Sequence, residues 1–243
     1  MLCEIRSYIG TRSYQEDSAD KCETEKGLFV VVCDGIGSRA EGGASSRLAT
    51  ERFLEYFRTR FKENYPSFIV DAASRIDDEV YKTYGEGCGT TAVTAYVSGS
   101  GLYWLSVGDS RLYILRDRKL TQITTTHNYS YVIDVRLRKK LIDEATYKAE
   151  QSKGERLASF IGMGGIDIVD VNTQPFKLRS GDRLLLTTDG LYKSIGDERI
   201  AEILNSNENI SLAADRLMEA VKSCEGSIDN TTFAIIDHRM EES

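Results

Sequence analysis

The stretch GLFVVVCDGIGSRAEGG, from Gly27 to Gly43, joins an apolar run to a carboxylate. The run from Leu28 to Cys33 is typical of a buried strand. Asp34 and Gly35 follow it at once, before a segment that resembles a helix. Taken alone, an Asp-Gly pair after a strand usually forms a turn, because Asp bonds its own backbone and Gly adopts positive φ without a steric cost. A functional role for Asp34 therefore has to be judged from the rest of the chain.

The totals describe a folded chain of enzyme size. With 243 residues, 41% hydrophobic and 28% charged, we expect one domain covering residues 1–243. The net charge of -7 argues against nucleic-acid binding. The chain has only two histidines, His127 and His238, which nearly excludes zinc sites, so a metal is expected to be held by oxygen.

Cysteine usage and hydropathy predict a location. The five cysteines are odd in number and lack a C-x-x-C spacing, which is typical of reduced core residues in the cytosol. The N-terminus lacks the pattern of a signal peptide, and no apolar run approaches the roughly 20 residues of a membrane span. We therefore expect a cytoplasmic protein that does not contact membranes, with a monomer as the default.

Short β-branched and aromatic runs predict a largely antiparallel set of strands, several joined by tight turns at 98–101 and 117–118. The predicted strands are Leu28–Cys33, Thr90–Val97, Leu102–Val107, Arg111–Leu115, Val169–Leu178, Arg183–Thr187 and Thr232–Ile236.

Apolar residues at helical spacing predict two pairs of helices. The stripes run from Ala44 to Phe61, from Ile69 to Tyr84, from Ile200 to Leu204 after a cap at Asp197, and from Leu212 to Val221 after Ser211. Helices grouped between strands indicate sheet layers covered by helices, an α+β fold. The charged segment 127–164 is harder to place: it is either a solvated surface excursion or a flap over a site.

Carboxylates recur where predicted strands begin or end. Asp109 and Asp189 each follow a strand, as Asp34 does, and Asp229 precedes the last one. Carboxylates that converge repel one another, so either some take up protons or a cation lies among them. Mg²⁺ and Mn²⁺ prefer such oxygen ligands. Each Asp alone is better explained as a turn or cap, but the set together predicts an all-oxygen dinuclear site.

A second acidic group lies near the N-terminus, in GTRSYQEDS. Arg12 can bind a phosphoryl group with two hydrogen bonds, and Glu16 and Asp17 add oxygen ligands nearby in sequence. An Arg followed by an acidic pair usually means surface charge. Its meaning comes from the combination with the strand-end carboxylates.

Six motifs in a fixed order carry a family resemblance: RSYQEDS, CDGIGS, GCGTTA, VGDSR, TTDGL and DNTT. From about Gly10 to Ile236 the chain resembles the metal-dependent protein serine/threonine phosphatases of the PPM or PP2C family, in their short bacterial form. The resemblance implies a central antiparallel β-sandwich flanked on both sides by paired helices, a four-layer αββα arrangement. It also implies hydrolysis of phosphoserine and phosphothreonine by a water or hydroxide activated at a dinuclear Mn²⁺ or Mg²⁺ site.

The same resemblance implies a metal set: Glu16, Asp17, Asp34, Gly35, Asp109, Asp189 and Asp229. Asp34 would bridge the two ions, and the Gly35 carbonyl would ligate one of them. Asp189 and Asp229 would complete the other ion's ligands. The acidic pair at 16–17 would hold water ligands or bind directly.

Further roles follow from the resemblance. Arg12 would bind the substrate phosphate and act with Asp34 in catalysis. Asp109 would contribute to a third, weaker cation site. Cys33 is expected to be a packed core thiol and not a nucleophile. The implied partners are phosphorylated proteins and a cognate Ser/Thr kinase with its targets.

The sequence departs from the family pattern at four places. Gln15 stands for the usual Asn, Ser38 for a second glycine, Thr126 for an Asp, and Ile36 for the His of eukaryotic members. No presumed carboxylate ligand is lost. Two alternatives stay open: a catalytically weak PP2C-fold regulatory or binding module, and a phosphohydrolase that acts on small phosphorylated molecules.

Overall fold

The computed structural model of the chain describes residues 1–37, 40–99 and 101–238. Within these ranges the strands are β1 (Leu2–Tyr8), β2 (Asp17–Thr24), β3 (Gly27–Ile36), β4 (Gly89–Thr90), β5 (Ala92–Ser98), β6 (Gly101–Val107), β7 (Arg111–Arg116), β8 (Lys119–Gln122), β9 (Asp170–Val171), β10 (Asp182–Thr187) and β11 (Thr231–His238). The helices are α1 (Ala40–Arg60), α2 (Tyr65–Tyr84), α3 (Tyr129–Arg138), α4 (Glu144–Glu150), α5 (Asp189–Ser206) and α6 (Ile210–Lys222), with a 3₁₀ turn at Gln151–Lys153.

The strands form two antiparallel sheets. One has the order β1-β11-β10-β7-β8, and the other has the order β2-β3-β5-β6-β9 with β4 paired to β3. Apolar side chains of α5 and α6 form a core with the first sheet. Those of α1 and α2 form a core with the second sheet, and a third core lies between the sheets. The predicted α+β sandwich with four αββα layers is confirmed.

The apolar run of β3 is continuous because both of its faces are buried. Its alternate residues belong to two different cores, so neither face can be polar. The series facing the helices is Phe29, Val31 and Cys33, and the series facing the other sheet is Leu28, Val30 and Val32. Asp34 continues the second series. Its position in the strand therefore places it at the end of the sandwich, on the side between the two sheets.

Several elements differ from the sequence prediction. β1 and β2 were not predicted, because their polar and charged residues hide the strand period. Val169–Leu178 is not one strand: Asp170–Val171 pairs with β6, Phe176 forms a single antiparallel bridge with Leu102 of β6, and Leu178 reaches the core from a loop. A helical segment follows Asp197 as expected, because the backbone is non-helical at Gly196, whose φ is 71°; the segment of α5 that precedes it, from Asp189, was not predicted. The α6 cap is Asn209, not Ser211, because the Asn209 side chain accepts from the Leu212 N–H. Ser38 and Ser100 lie outside the described residues.

Segment 127–164 is largely folded, with α3 and α4 inside it. Its C-terminal end is fixed to α2, where the buried Asp77 Oδ1 accepts hydrogen bonds from the backbone N–H groups of Gly162 and Met163 at 2.6 and 2.9 Å. Ile161 also exchanges backbone hydrogen bonds with Thr90. The segment is thus anchored beside the end of β3. Along the described ranges, no helix is both long and apolar enough to cross a membrane.

Candidate active site

One cavity of about 300 Å³ collects the predicted strand-end carboxylates at one end of the sandwich. Both sheets contribute to it: Asp34 lies near the end of β3, Asp109 follows β6, Asp189 opens α5 and Asp229 precedes β11. The other predicted residues on its wall are Arg12, Glu16 and Gly35. Asp17 is buried at the start of β2. The structure therefore brings the whole predicted set to one end of the fold.

Asp17 and Asp34 lie directly opposite each other on β2 and β3. Like charges in this position are unfavourable, so the pair needs compensation. The hydroxyl of Thr188, the residue between β10 and α5, donates to Asp17 Oδ2 at 2.9 Å. The main chain of Asp34 is held by Thr90 and Thr91, whose hydroxyl and N–H donate to its carbonyl at 2.9 and 2.8 Å. The two carboxylates are thus fixed in position although they repel.

Glu16 is held against the first turn of α1. Its carbonyl accepts from the Gly35 N–H at 3.0 Å and from the Ser46 hydroxyl at 2.5 Å. A Cβ on Gly35 would overlap the Gly42 carbonyl, and one on Gly42 would lie 2.7 Å from Glu16 Oε1. The backbone contacts of Gly35 therefore let α1 approach the carboxylates this closely, which is the structural reason for a glycine directly after Asp34.

Arg12 lies at the rim of the cavity and forms an ion pair with Asp229, at 2.7 Å between Nη2 and Oδ2. Asn230 connects the loop that carries Arg12 to β11. Its Nδ2 donates to the carbonyls of Ile9 and Tyr14, and its Oδ1 accepts from the Glu16 N–H at 2.7 Å. The predicted phosphate ligand is therefore present at the site, with a carboxylate as its partner.

Lys193 was not predicted as a site residue. It lies one turn after Asp189 on α5, with its Nζ 2.7 Å from Asp189 Oδ2, 4.0 Å from Asp109 Oδ2 and 3.8 Å from Glu155 Oε2. The spacing of four residues after Asp189 is a signal that the sequence contains, but it has meaning only if α5 begins at Asp189. Glu155, from segment 127–164, was also missed as part of the cavity wall.

Burial and repulsion raise the pKa values of the carboxyl groups. Burial, offset by the Thr188 hydroxyl, raises the pKa of Asp17 to about 7. Burial and then Asp17 hold the pKa of Asp34 well above its usual range, and burial and Asp189 raise that of Asp109 to about 6. Burial also raises the pKa of Glu16. The bare cluster therefore favours binding of positive charge, either protons or cations.

The donor set fits hard divalent cations. Two buried carboxylate oxygens, Glu16 Oε1 and Asp17 Oδ1, have no hydrogen-bond partner among the described residues. No three acidic, histidine or cysteine side chains of the described ranges converge closely enough to hold one ion alone. Water and main-chain carbonyls would have to complete each ligand shell, as is usual for Mg²⁺.

Other reactive groups nearby are explained by the fold. His127 is buried, and its Nδ1 accepts from the Gly108 N–H at 3.2 Å, which ties segment 127–164 to the β6–β7 turn. Burial raises the pKa of Cys33 to about 12, so it is a thiol within the core, as expected.

A larger cavity, about 410 Å³, lies between α5 and α6, where Arg199 and Arg216 pair with neighbouring glutamates.

The comparisons agree with this geometry. The family model described as Protein phosphatase 2C matches residues 6–225. The chain belongs to the protein phosphatase 2C family. One PP2C relative, a serine/threonine phosphatase of Listeria innocua, is 28% identical over 252 residues, which cover 99% of this chain and 97% of that one. The confirmed family is the one that the motif order indicated.

Solved PP2C structures share the fold over nearly the full length. The PPM Ser-Thr phosphatase MsPP of Mycobacterium smegmatis, in complex with cacodylate, is 25% identical, with a TM-score of 0.76 and 98% of each chain covered. The catalytic domain of the phosphatase PstP, in complex with two manganese ions, is also 25% identical, with a TM-score of 0.74 and 98% coverage of each chain.

Proposed function

We propose that this PP2C chain is a metal-dependent phosphatase that hydrolyses phosphoserine and phosphothreonine in proteins. The observation that carries the proposal is the convergence of Asp34, Asp189 and Asp229 from both sheets on one cavity, with the guanidinium of Arg12 at its rim. Family membership and the manganese-bound PstP relative support the same reaction class.

Two divalent cations, Mn²⁺ or Mg²⁺, fit the carboxylates as found. Asp34, the main-chain carbonyl of Gly35, Asp189 and Asp229 would hold the two ions. Glu16 and Asp17 would hold water ligands or bind directly through their free buried oxygens. When bound, the ions lower the pKa of a water and neutralise charge that develops on the phosphoryl group.

The chain's own residues perform the remaining steps. Arg12 must leave Asp229 to face the substrate, where its guanidinium fixes two phosphoryl oxygens in line for attack. Thr188 keeps Asp17 oriented, since its hydroxyl donates to one carboxylate oxygen and leaves the other available. Cys33 takes no part, because a thiol with a pKa of about 12 is not ionised near neutral pH.

The cellular setting follows from this function. The substrates would be targets of a cognate Ser/Thr kinase, and we expect a monomeric protein that acts in the cytoplasm. Segment 127–164 would act as a flap, because Glu155 and Leu157 line the catalytic cavity. The resemblance assigned Asp109 to a third cation; in this chain Lys193 lies beside it.

The test is phosphate release from a phosphothreonine peptide by wild type and by Asp34→Asn, in EDTA and with Mn²⁺ or Mg²⁺. We expect metal-dependent release that falls at least about 10³-fold in the variant, as loss of a central electrostatic group does. Asp71→Asn, an exposed carboxylate on α2, is the matched control and should keep full activity. A folded wild type without turnover would favour a binding module. Faster release from phosphorylated metabolites than from phosphopeptides would favour a small-molecule phosphohydrolase.

A further inference from the structure

Lys193 has an unusual position for a lysine, because three carboxylates surround its ammonium group. Asp189 lies at hydrogen-bond distance, 2.7 Å, and Glu155 and Asp109 lie at 3.8 and 4.0 Å. These carboxylates come from three separate parts of the chain: the start of α5, segment 127–164 and the β6–β7 turn. A helical salt bridge between residues four apart would involve only one of them.

The two inner carboxylates are poorly hydrated. Their side chains are 17% exposed for Asp189 and 11% exposed for Asp109, whereas Lys193 is 47% exposed. Two buried carboxylates this near each other need a positive charge. The ammonium group of Lys193 supplies such a charge, at 2.7 Å from Asp189 Oδ2 and 4.0 Å from Asp109 Oδ2.

We propose that the ammonium group of Lys193 takes the place of a third cation between Asp109 and Asp189, so that this chain binds two divalent ions and not three. The proposal rests on the function given above, since it concerns the same carboxylates. Lys193 is then a positioning residue: it holds Asp189 Oδ2 and supplies the charge that a loosely bound ion would otherwise bring.

The geometry also explains why a third divalent cation would not bind to Asp109 and Asp189 while the Lys193 ammonium is in place. A cation that ligated both Asp109 and Asp189 would have to lie within about 2 to 2.6 Å of their oxygens. The ammonium already contacts one of these oxygens and lies near the other, so both charges would compete for one volume. Neutralising the lysine while keeping its length should therefore create the site.

The experiment counts Mn²⁺ ions per chain by equilibrium dialysis with elemental analysis, from micromolar to millimolar free Mn²⁺. Wild type should saturate at two ions, and Lys193→Met should gain a third, weaker one. Adding Asp109→Asn to Lys193→Met should remove the gained ion, and Lys193→Arg, which keeps the charge, should stay at two. Lys82→Met is the control, because Lys82 also pairs with an Asp four residues away but on the exposed surface of α2.

A third ion in wild type, or the same number of ions in wild type and in folded Lys193→Met, would overturn the proposal. Circular dichroism checks folding, and Lys193→Gln replaces the Met variant if that variant does not fold. The role of Lys193 and the proposed function can be refuted separately. A wild type that hydrolyses phosphopeptides with three bound ions refutes only the role of Lys193, whereas a wild type that neither binds Mn²⁺ nor releases phosphate refutes the proposed function as well.

Discussion

Replacing Asp34 by Asn should stabilise the metal-free protein while it abolishes activity. The pKa of Asp34 is raised by burial and then by Asp17 and the other carboxylates, and that of Asp17 is raised from 3.8 to about 7. At about 1.4 kcal/mol per pKa unit, one such group costs up to about 4 kcal/mol at pH 8. Because neighbours share the repulsion, we expect Asp34→Asn to recover about 2 kcal/mol, or about 4 to 8 °C in Tm for a chain of this size.

The direction of the pKa shifts determines how the stability of the metal-free protein changes with pH. A carboxyl whose pKa is higher in the folded state stabilises the protein fully below its unfolded pKa, and this stabilisation is lost as pH rises through the folded value. In EDTA, the Tm of wild type should therefore fall between pH 5 and pH 8, and that of Asp34→Asn should fall less. Differential scanning calorimetry measures both, with Asp71→Asn as the surface control. If Asp34→Asn melts at or below the wild-type Tm in EDTA at pH 8, the Asp34 carboxylate does not destabilise the metal-free protein.

Three other changes test separate parts of the site. Arg12→Lys should lower kcat/KM on phosphopeptides about 10- to 100-fold, because an ammonium cannot bind two phosphoryl oxygens in the guanidinium geometry; an unchanged value would remove Arg12 from substrate binding. Gly35→Ala should destabilise by more than about 3 kcal/mol in urea titrations, since its Cβ would overlap α1, whereas Gly99→Ala, with open space around it, should be near neutral. Asp77→Ala should remove the two hydrogen bonds that a buried carboxylate accepts from segment 127–164, and so make that segment more sensitive to limited proteolysis. Equal rates of cleavage in the variant and in wild type would contradict this expectation.

The convergence of the site residues was predictable because each of them is marked by a local sequence pattern. Asp34, Asp109, Asp189 and Asp229 each interrupt or flank a recognisable apolar strand, and strand ends meet at the edge of a sheet. The continuous apolar run of β3 also indicated a strand covered on both faces, which the sandwich confirms. These signals survive in a single sequence because they depend on period and position, not on long-range contacts.

The missed elements depend on contacts that no local pattern contains. β1 is stabilised by pairing along its length with β11, more than two hundred residues later, and its own alternation is weak. The strand expected at Val169–Leu178 has the right composition, but most of it finds no partner strand. The part of α5 between Asp189 and the break at Gly196 was not predicted, because Asp189 was read only as a ligand and not as the start of a helix. Lys193 was lost with that boundary.

The two positively charged side chains at the cavity, Arg12 and Lys193, differ in how deeply their carboxylate partners are buried. This difference decides which of the two side chains can move. Arg12 and Asp229 are both about half exposed, at 50% and 41%, and an ion pair in that setting contributes about 1 kcal/mol or less. Substrate phosphate can therefore displace Asp229 from Arg12 at little cost. Lys193 faces two carboxylates that are less than one-fifth exposed, and removing it would leave buried charge without compensation. The fold thus keeps one positive charge in place and leaves the other free to bind the substrate.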